Sequence, residues 1–131
     1  MKLELTKLES EDFFHASLCN GLSYIGGYGL KLKYDAEEYQ KSRDIWKSNN
    51  SERTCCFEDV LMQMLKDGYK LTLHDYEYDG EYTKSITLDD VHNRVQLTPI
   101  RHLLDMVNEN DDAITAEVIM QTVFFEDVIF G

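Results

Sequence analysis

Proline is nearly missing from this chain, with Pro99 alone among 131 residues. That excludes proline-rich linkers and extended polyproline segments. Cysteine is scarce and odd in number, three in all. A disulfide framework needs pairs, so the thiols fit a reducing, cytoplasmic setting. No apolar run approaches the roughly 18 residues of a membrane span. The opening stretch MKLELTKLESED has no apolar core of the kind a secretory signal carries. Positive charge is the other shortage. Against 25 Asp and Glu stand 13 Lys and Arg, for a net charge of −12. Affinity for nucleic acid comes largely from Lys and Arg neutralising phosphates, so direct binding to it is not expected. Also lacking are C-x-x-C, H-E-x-x-H, G-x-G-x-x-G and Walker patterns, and with them the common signatures of zinc, dinucleotide and nucleotide sites. No cofactor is expected.

What is there describes a folded domain. The apolar fraction of 43% and the aromatic fraction of 11% are enough to build a core, despite the charge. The length suits one domain over 1–131, with a polar stretch, Ser48 to Arg53, separating an N-terminal lobe (1–50) from a helix–hairpin–helix lobe (54–131). The acid is unevenly placed. Residues 1–53 hold 8 basic and 9 acidic side chains, and residues 54–131 hold 5 and 16. A field of that sign favours a basic protein partner, or simply solubility.

The segment YKLTLHDYEYDGEYTKSITL, residues 69–88, reads as a β-hairpin. Asp79-Gly80 suits a type I′ turn, which needs φ > 0 at both central residues. Closing the hairpin there sets Leu73 opposite Ile86, Leu71 opposite Leu88, and Asp75 opposite Lys84. Before it, Phe57, Val60, Leu61, Met64 and Leu65 recur at helical spacing, behind Thr54 as N-cap and ahead of Asp67-Gly68 as terminator. After it, Thr87 with Asp90 offers a capping box, and Val91 and Val95 face inward. Thr98 reads as the next cap, with Pro99 at the first helical position and Ile100, Leu103, Leu104 and Val107 behind it.

Nearer the start, Lys2 to Leu8 alternates as a short strand, and Ser10 caps a helix carrying Phe14, Leu18, Leu22 and Ile25. Asn20-Gly21 is a place for that helix to stop. Leu22 to Tyr34 then offers an alternative, a second hairpin about Gly26-Gly27. Asp35 and Glu38 open a polar helix to about Lys47. The last apolar segment is ambiguous between helix and strand. Its length favours a helix to about Phe125 followed by an extended tail, Val128 to Phe130, that packs inward or meets a second subunit. The expected fold class is α+β: a small, mainly antiparallel sheet including the 69–88 hairpin, with three to five helices packed on it.

Candidate chemistry is sparse. Cys55 and Cys56 behind a Thr54 cap would lie in a first helical turn, where the dipole favours thiolate. They are the weak candidates for a thiol-dependent enzyme or redox protein. Glu58 and Asp59 oppose such a thiolate, and no spacing sets His74, His92 or His102 beside Cys55. His15 and Cys19, four apart, share a helix face but make only two metal ligands, so no metal site is assigned. Asp75, Glu77, Asp79 and Gly80 imitate the start of an EF-hand loop, yet its twelfth position is Ile86. Gly26, Gly27 and Gly29 precede alternating Leu and Lys, which suits a turn better than a phosphate loop.

The contact candidates are Tyr76, Glu77, Tyr78, Asp79, Glu81 and Tyr82, where tyrosines supply rigid area between carboxylates. Cross-strand packing is the competing role for the same rings. The function expected is a small acidic, non-enzymatic protein-binding or regulatory module. An inhibitor or nucleic-acid mimic of a basic partner is one form of it. A homo-oligomer through the C-terminal segment is a further expectation.

Overall fold

A computed structural model describes residues 4–130. Six α-helices and a three-stranded antiparallel sheet make up the described residues, in the order α1 (Lys7–Ile25), β1 (Leu30–Lys33), α2 (Ala36–Asn49), α3 (Phe57–Lys66), β2 (Leu71–Asp75), β3 (Lys84–Ile86), α4 (Leu88–Arg94), α5 (Ile100–Val107) and α6 (Ala113–Phe125). The class is α+β, with one helix more than the expected upper count.

α1 begins earlier than its sequence suggests. Thr6 Oγ1 accepts the Glu9 N–H at 3.1 Å and Glu9 Oε1 accepts the Thr6 N–H at 2.9 Å. This capping box takes the role expected of Ser10, which is buried one turn inside. The strand expected over Lys2–Leu8 is not formed where the chain is described: residues 4–6 are irregular and Lys7 and Leu8 are helical. Lys2 and Leu3 lie outside the described residues. The helix also runs through Gly21. A Cβ there would sit 3.1 Å from Met120 Sδ and 3.2 Å from the Ala116 backbone. Gly21 therefore lies at a close approach of α1 and α6 and is not a stop. Phe14, Leu18 and Ile25 flank it, all at most 1% exposed.

Beyond a 3₁₀ turn at Gly26–Tyr28, β1 pairs with β2, Leu32 lying opposite Leu73. The alternative hairpin about Gly26-Gly27 is thus replaced, because Leu22 to Ile25 stay helical and the strand finds its partner some forty residues on. Asp35 caps α2 through the N–H groups of Glu37 and Glu38, both at 3.0 Å. Ser42 Oγ donates to Asp67 Oδ2 at 2.8 Å, fastening α2 to the end of α3. Gly68, at φ +90°, terminates α3 as expected. Asp90 Oδ2 accepts the Thr87 N–H at 2.9 Å and opens α4. Thr98 makes no cap bond. Its hydroxyl is buried without a partner and Pro99 takes the cap position of α5.

Leu30, Leu71, Leu73 and Ile86 project from one face of the sheet into the core that Phe14, Val60, Met64, Val91, Ile119 and Phe124 complete. The other face carries Lys31, Lys33, Thr72, His74 and Ser85, none of them buried. α6 resolves the ambiguity of the last segment. It is buried on nearly all sides, and the tail beyond folds back onto it. Gln121 Oε1 accepts the N–H groups of Ile129 and Phe130 at 2.9 and 2.8 Å, while its Nε2 donates to the Phe130 carbonyl at 3.2 Å.

Gly21→Val is expected to lower unfolding free energy by about 1–3 kcal/mol, since overpacking at a closed helix contact outweighs any gain in propensity. Urea denaturation with an unchanged m-value is the measurement that checks it.

Candidate functional site

The 69–88 segment does form a hairpin, but its register differs by two residues from the expected one. Leu71 lies opposite Ile86, Thr72 opposite Ser85 and Leu73 opposite Lys84. A shift of two keeps every side chain on its face, so the inward set is unchanged. Asp79 and Gly80 do take positive φ, +53° and +82°. They sit inside an eight-residue loop, 76–83, instead of closing the strands directly.

Asp75 is the cause. Expected to pair with Lys84 at the surface, it is 1% exposed. Its Oδ1 accepts the backbone N–H groups of Glu77 at 2.8 Å and Tyr78 at 2.9 Å, and its Oδ2 accepts that of Tyr82 at 3.1 Å. Its own N–H donates to Thr83 Oγ1 at 3.1 Å. The chain leaves the β2–β3 ladder to wrap this carboxylate. It turns toward β1, where Tyr76 N–H donates to the Gly29 carbonyl at 2.8 Å. Gly29 has φ +78°, and a Cβ on it would fall 2.5 Å from Glu77 Cβ, so only glycine fits beneath the loop. Burial pushes the Asp75 pKa upward, but donation from Tyr78, Tyr82 and Glu77 outweighs it and leaves the carboxyl below its ordinary value.

The six contact candidates ride on this cage. Tyr76 and Tyr78 are 54% and 50% exposed, Glu77, Asp79 and Glu81 are exposed, and Tyr82 is half-buried. Tyr76 meets His74 edge-on at 4.4 Å and lies under Lys33 Nζ at 5.2 Å. Tyr78 and Tyr82 meet edge-on at 5.4 Å, and Tyr82 packs on Phe130 at 5.2 Å, which in turn stacks on Tyr28 at 5.2 Å. Packing and exposure thus divide the rings between them. Phe130 was not among the contact candidates; the sequence places it in an apolar tail, Val128 to Phe130, that packs inward or meets a second subunit.

The cysteines lie elsewhere. α3 starts at Phe57 because Asp59 Oδ2 accepts the Cys56 N–H at 3.1 Å, which makes Cys56, not Thr54, the cap. Both thiols therefore precede the first turn. Cys55 Sγ contacts the Cys56 carbonyl at 3.9 Å. His15 and Cys19 do share a face of α1, with Sγ 4.0 Å from Nδ1, and His15 Nε2 lies 2.9 Å from Asp59 Oδ1. This Cys–His–Asp series is the one arrangement of nucleophile, base and orienting acid among the described residues, and its long-range member Asp59 was not foreseeable from spacing. Its thiol is ill-suited to attack, since burial and the charges of Glu58 and Asp59 push the Cys19 pKa up. Among the described residues no cluster of three or more His, Cys, Asp or Glu has the geometry to hold a metal.

A polar cleft of about 270 Å³ adjoins this series, lined by Glu11, His15, Trp46, Arg53, Asp59 and Lys66 among others. Most of its charges already have partners. Glu11 bonds His92 at 2.8 Å and Lys66 at 3.5 Å, and Arg53 lies over Trp46 at 5.6 Å. A ligand would have to displace these contacts. No family model, characterised protein or solved structure matches the chain.

Two outcomes are expected here. Because the Asp75 pKa is lowered on folding, its stabilisation is complete above the unfolded value near 3.9 and is lost as pH falls through the folded value. Amide resonances of Glu77, Tyr78 and Tyr82 should hold their positions at pH 5–7 and shift together below about pH 4, and in Asp75→Ala they should be displaced at every pH. In a Cys55→Ser/Cys56→Ser protein, alkylation of Cys19 should rise with a midpoint above the free-thiol value of about 8.5. A midpoint near 6 would point to an activated nucleophile instead.

Proposed function

We propose that this protein is a small acidic, non-enzymatic binding or regulatory module that presents the loop 76–83 to a basic protein partner. The observation that carries this reading is the combination of an internally caged backbone with exposed side chains. Asp75 fixes the loop from inside, so Tyr76 and Tyr78 are held outward with little further ordering left to a partner. Glu77, Asp79 and Glu81 surround them, and a negative rim of this kind steers encounter with a positive surface. An inhibitor that occupies a basic groove in place of nucleic acid is one form such a module takes. Three free thiols fit a reducing, cytoplasmic setting. No helix among the described residues is long and apolar enough to cross a membrane.

The thiol-dependent alternative at Cys55 and Cys56 rests on weaker ground. Neither sulfur lies in a helical turn, and the histidine bonded to a thiol serves Cys19 instead.

Affinity capture at low and high salt tests the proposal. A basic protein should be recovered at about 50 mM salt and largely lost at about 500 mM, where charges more than about 4 Å apart are largely screened. Tyr76→Ala and Glu77→Gln/Asp79→Asn/Glu81→Gln should each weaken capture roughly tenfold or more while thermal stability stays close to that of the parent. Recovery of no basic partner at either salt would sink the reading.

A further inference from the structure

The segment beyond α6 is seated on the molecule as a bound peptide would be. The backbone turns at Glu126, whose φ of +62° is a left-handed conformation that L-residues adopt at a cost. Val128 to Phe130 then fold back to Gln121, which is 0% exposed. Gln121 bonds them through main-chain groups alone. The N–H groups of Ile129 and Phe130 converge on its Oε1, and its Nε2 donates to the Phe130 carbonyl. Such bonds read a peptide backbone, not the side chains it carries. Side-chain fit comes from the Phe130 ring. Tyr28 stacks on it at 5.2 Å, Tyr82 meets it edge-on at 5.2 Å, and Phe125 and Tyr78 stand at 6.0 and 6.3 Å.

The rest of the segment adds little to that fit. Val128 and Ile129 are 39% and 41% exposed, so they bury little apolar surface. Nor does the segment complement the charge around it. Glu77, Asp79 and Glu81 stand exposed on the loop that supplies Tyr78 and Tyr82, and Glu117 accepts from Gln121 Nε2 at 3.2 Å. Residues 126–130 bring two more carboxylates, Glu126 and Asp127, and no base. Any other occupant must still supply N–H groups and a carbonyl, since a bare Gln121 amide would leave buried polar atoms unmet. That requirement selects a peptide over a small apolar molecule.

We infer that the hollow between Tyr28, Phe125 and the loop 76–83 is a binding site for a partner's peptide segment, one with an aliphatic residue before an aromatic one and basic residues beside them, and that residues 128–130 are its tethered occupant. This rests on the proposed basic partner and names what that partner inserts. The incoming ring takes the place of Phe130, and the incoming main chain bonds Gln121. Lys or Arg beside the ring meets Glu77, Asp79 and Glu81, which the tethered segment leaves unanswered. Tethering holds the chain's own segment at a roughly millimolar effective concentration. It therefore excludes weak ligands and yields to one whose charge adds to the contact. Its departure also relaxes the left-handed turn at Glu126.

Three capped pentapeptides test the inference by NMR titration of the full chain: Lys-Val-Ile-Phe-Lys, Lys-Val-Ile-Ala-Lys and Glu-Val-Ile-Phe-Glu. Phe130→Ala empties the ring site at a half-buried position. It should bind the first peptide at least tenfold more tightly than the parent does, because no tethered ring competes. The alanine peptide should bind neither protein, and the acidic peptide should bind at least tenfold more weakly than the basic one at about 50 mM salt. In the complex with Phe130→Ala, the side-chain amide resonances of Gln121 should return toward their parent positions. Should Phe130→Ala fail to fold, the parent gives the same answer: excess basic peptide should strip amide protection from Ile129 and Phe130 while Gln121 stays bonded. The inference is overturned by equal binding of the alanine peptide, by no binding of the basic peptide, by indifference to peptide charge, or by sedimentation showing dimers that exchange the segment between copies. Capture of a basic protein with no peptide bound strikes this inference and spares the earlier reading. Peptide binding at the Phe130 site with no basic protein captured supports the site and strikes that reading alone.

Discussion

One buried carboxylate organises the hairpin and the loop 76–83 that it carries. Asp75 closes β2 at an inward position, where alternation would otherwise place an apolar residue after Leu71 and Leu73. An unpaired carboxylate there would be costly, and the chain answers by bringing three backbone N–H groups to it. Everything nearby follows from that arrangement. β2 stops at Asp75, the β2–β3 register moves by two, Tyr76 is handed to Gly29, and the Asp79-Gly80 turn is carried outward on a broader loop.

Much of the helical framework was legible in the sequence because its causes are local. Asp35 and Asp90 bond amides within three residues, and the spacing of Phe57, Val60, Leu61, Met64 and Leu65 reports one buried face. Positive φ at Asp79-Gly80 was legible for the same reason. The misses have distant causes. Gly21 reads as a stop until α6 is beside it. β1 reads as half of a local hairpin until β2 competes for it. Asp75 reads as a surface partner for Lys84 because nothing in the strand pattern announces that a carboxylate will be solvated by main chain. The cap of α3 was missed by two residues because Cys56 is an unusual occupant, and the reciprocating Asp59 was read only as an acid.

The candidate site was legible as a set of residues and not as a mechanism of presentation. All six contact candidates do fall on one loop. What the sequence concealed is that the loop is fastened at both ends of its aromatic row, by Asp75 beneath and by Phe130 from the far end of the chain. The tail bonds to Gln121 and its Phe130 packs on Tyr28 and Tyr82, while Val128 and Ile129 stay exposed.

The Gly21 contact has a consequence for how the chain reaches this structure. It joins the first helix to the last, and Phe14 packs on Phe124 in the same layer, their ring centroids 6.3 Å apart. Contacts so distant in sequence form only after the entropy of a long loop has been met. α1 alone has no surface on which to place Phe14 and Leu18, and α6 alone is apolar nearly all round. An N-terminal fragment would expose one half of this layer, so dissecting the molecule by truncation would report on aggregation where point substitutions report on binding.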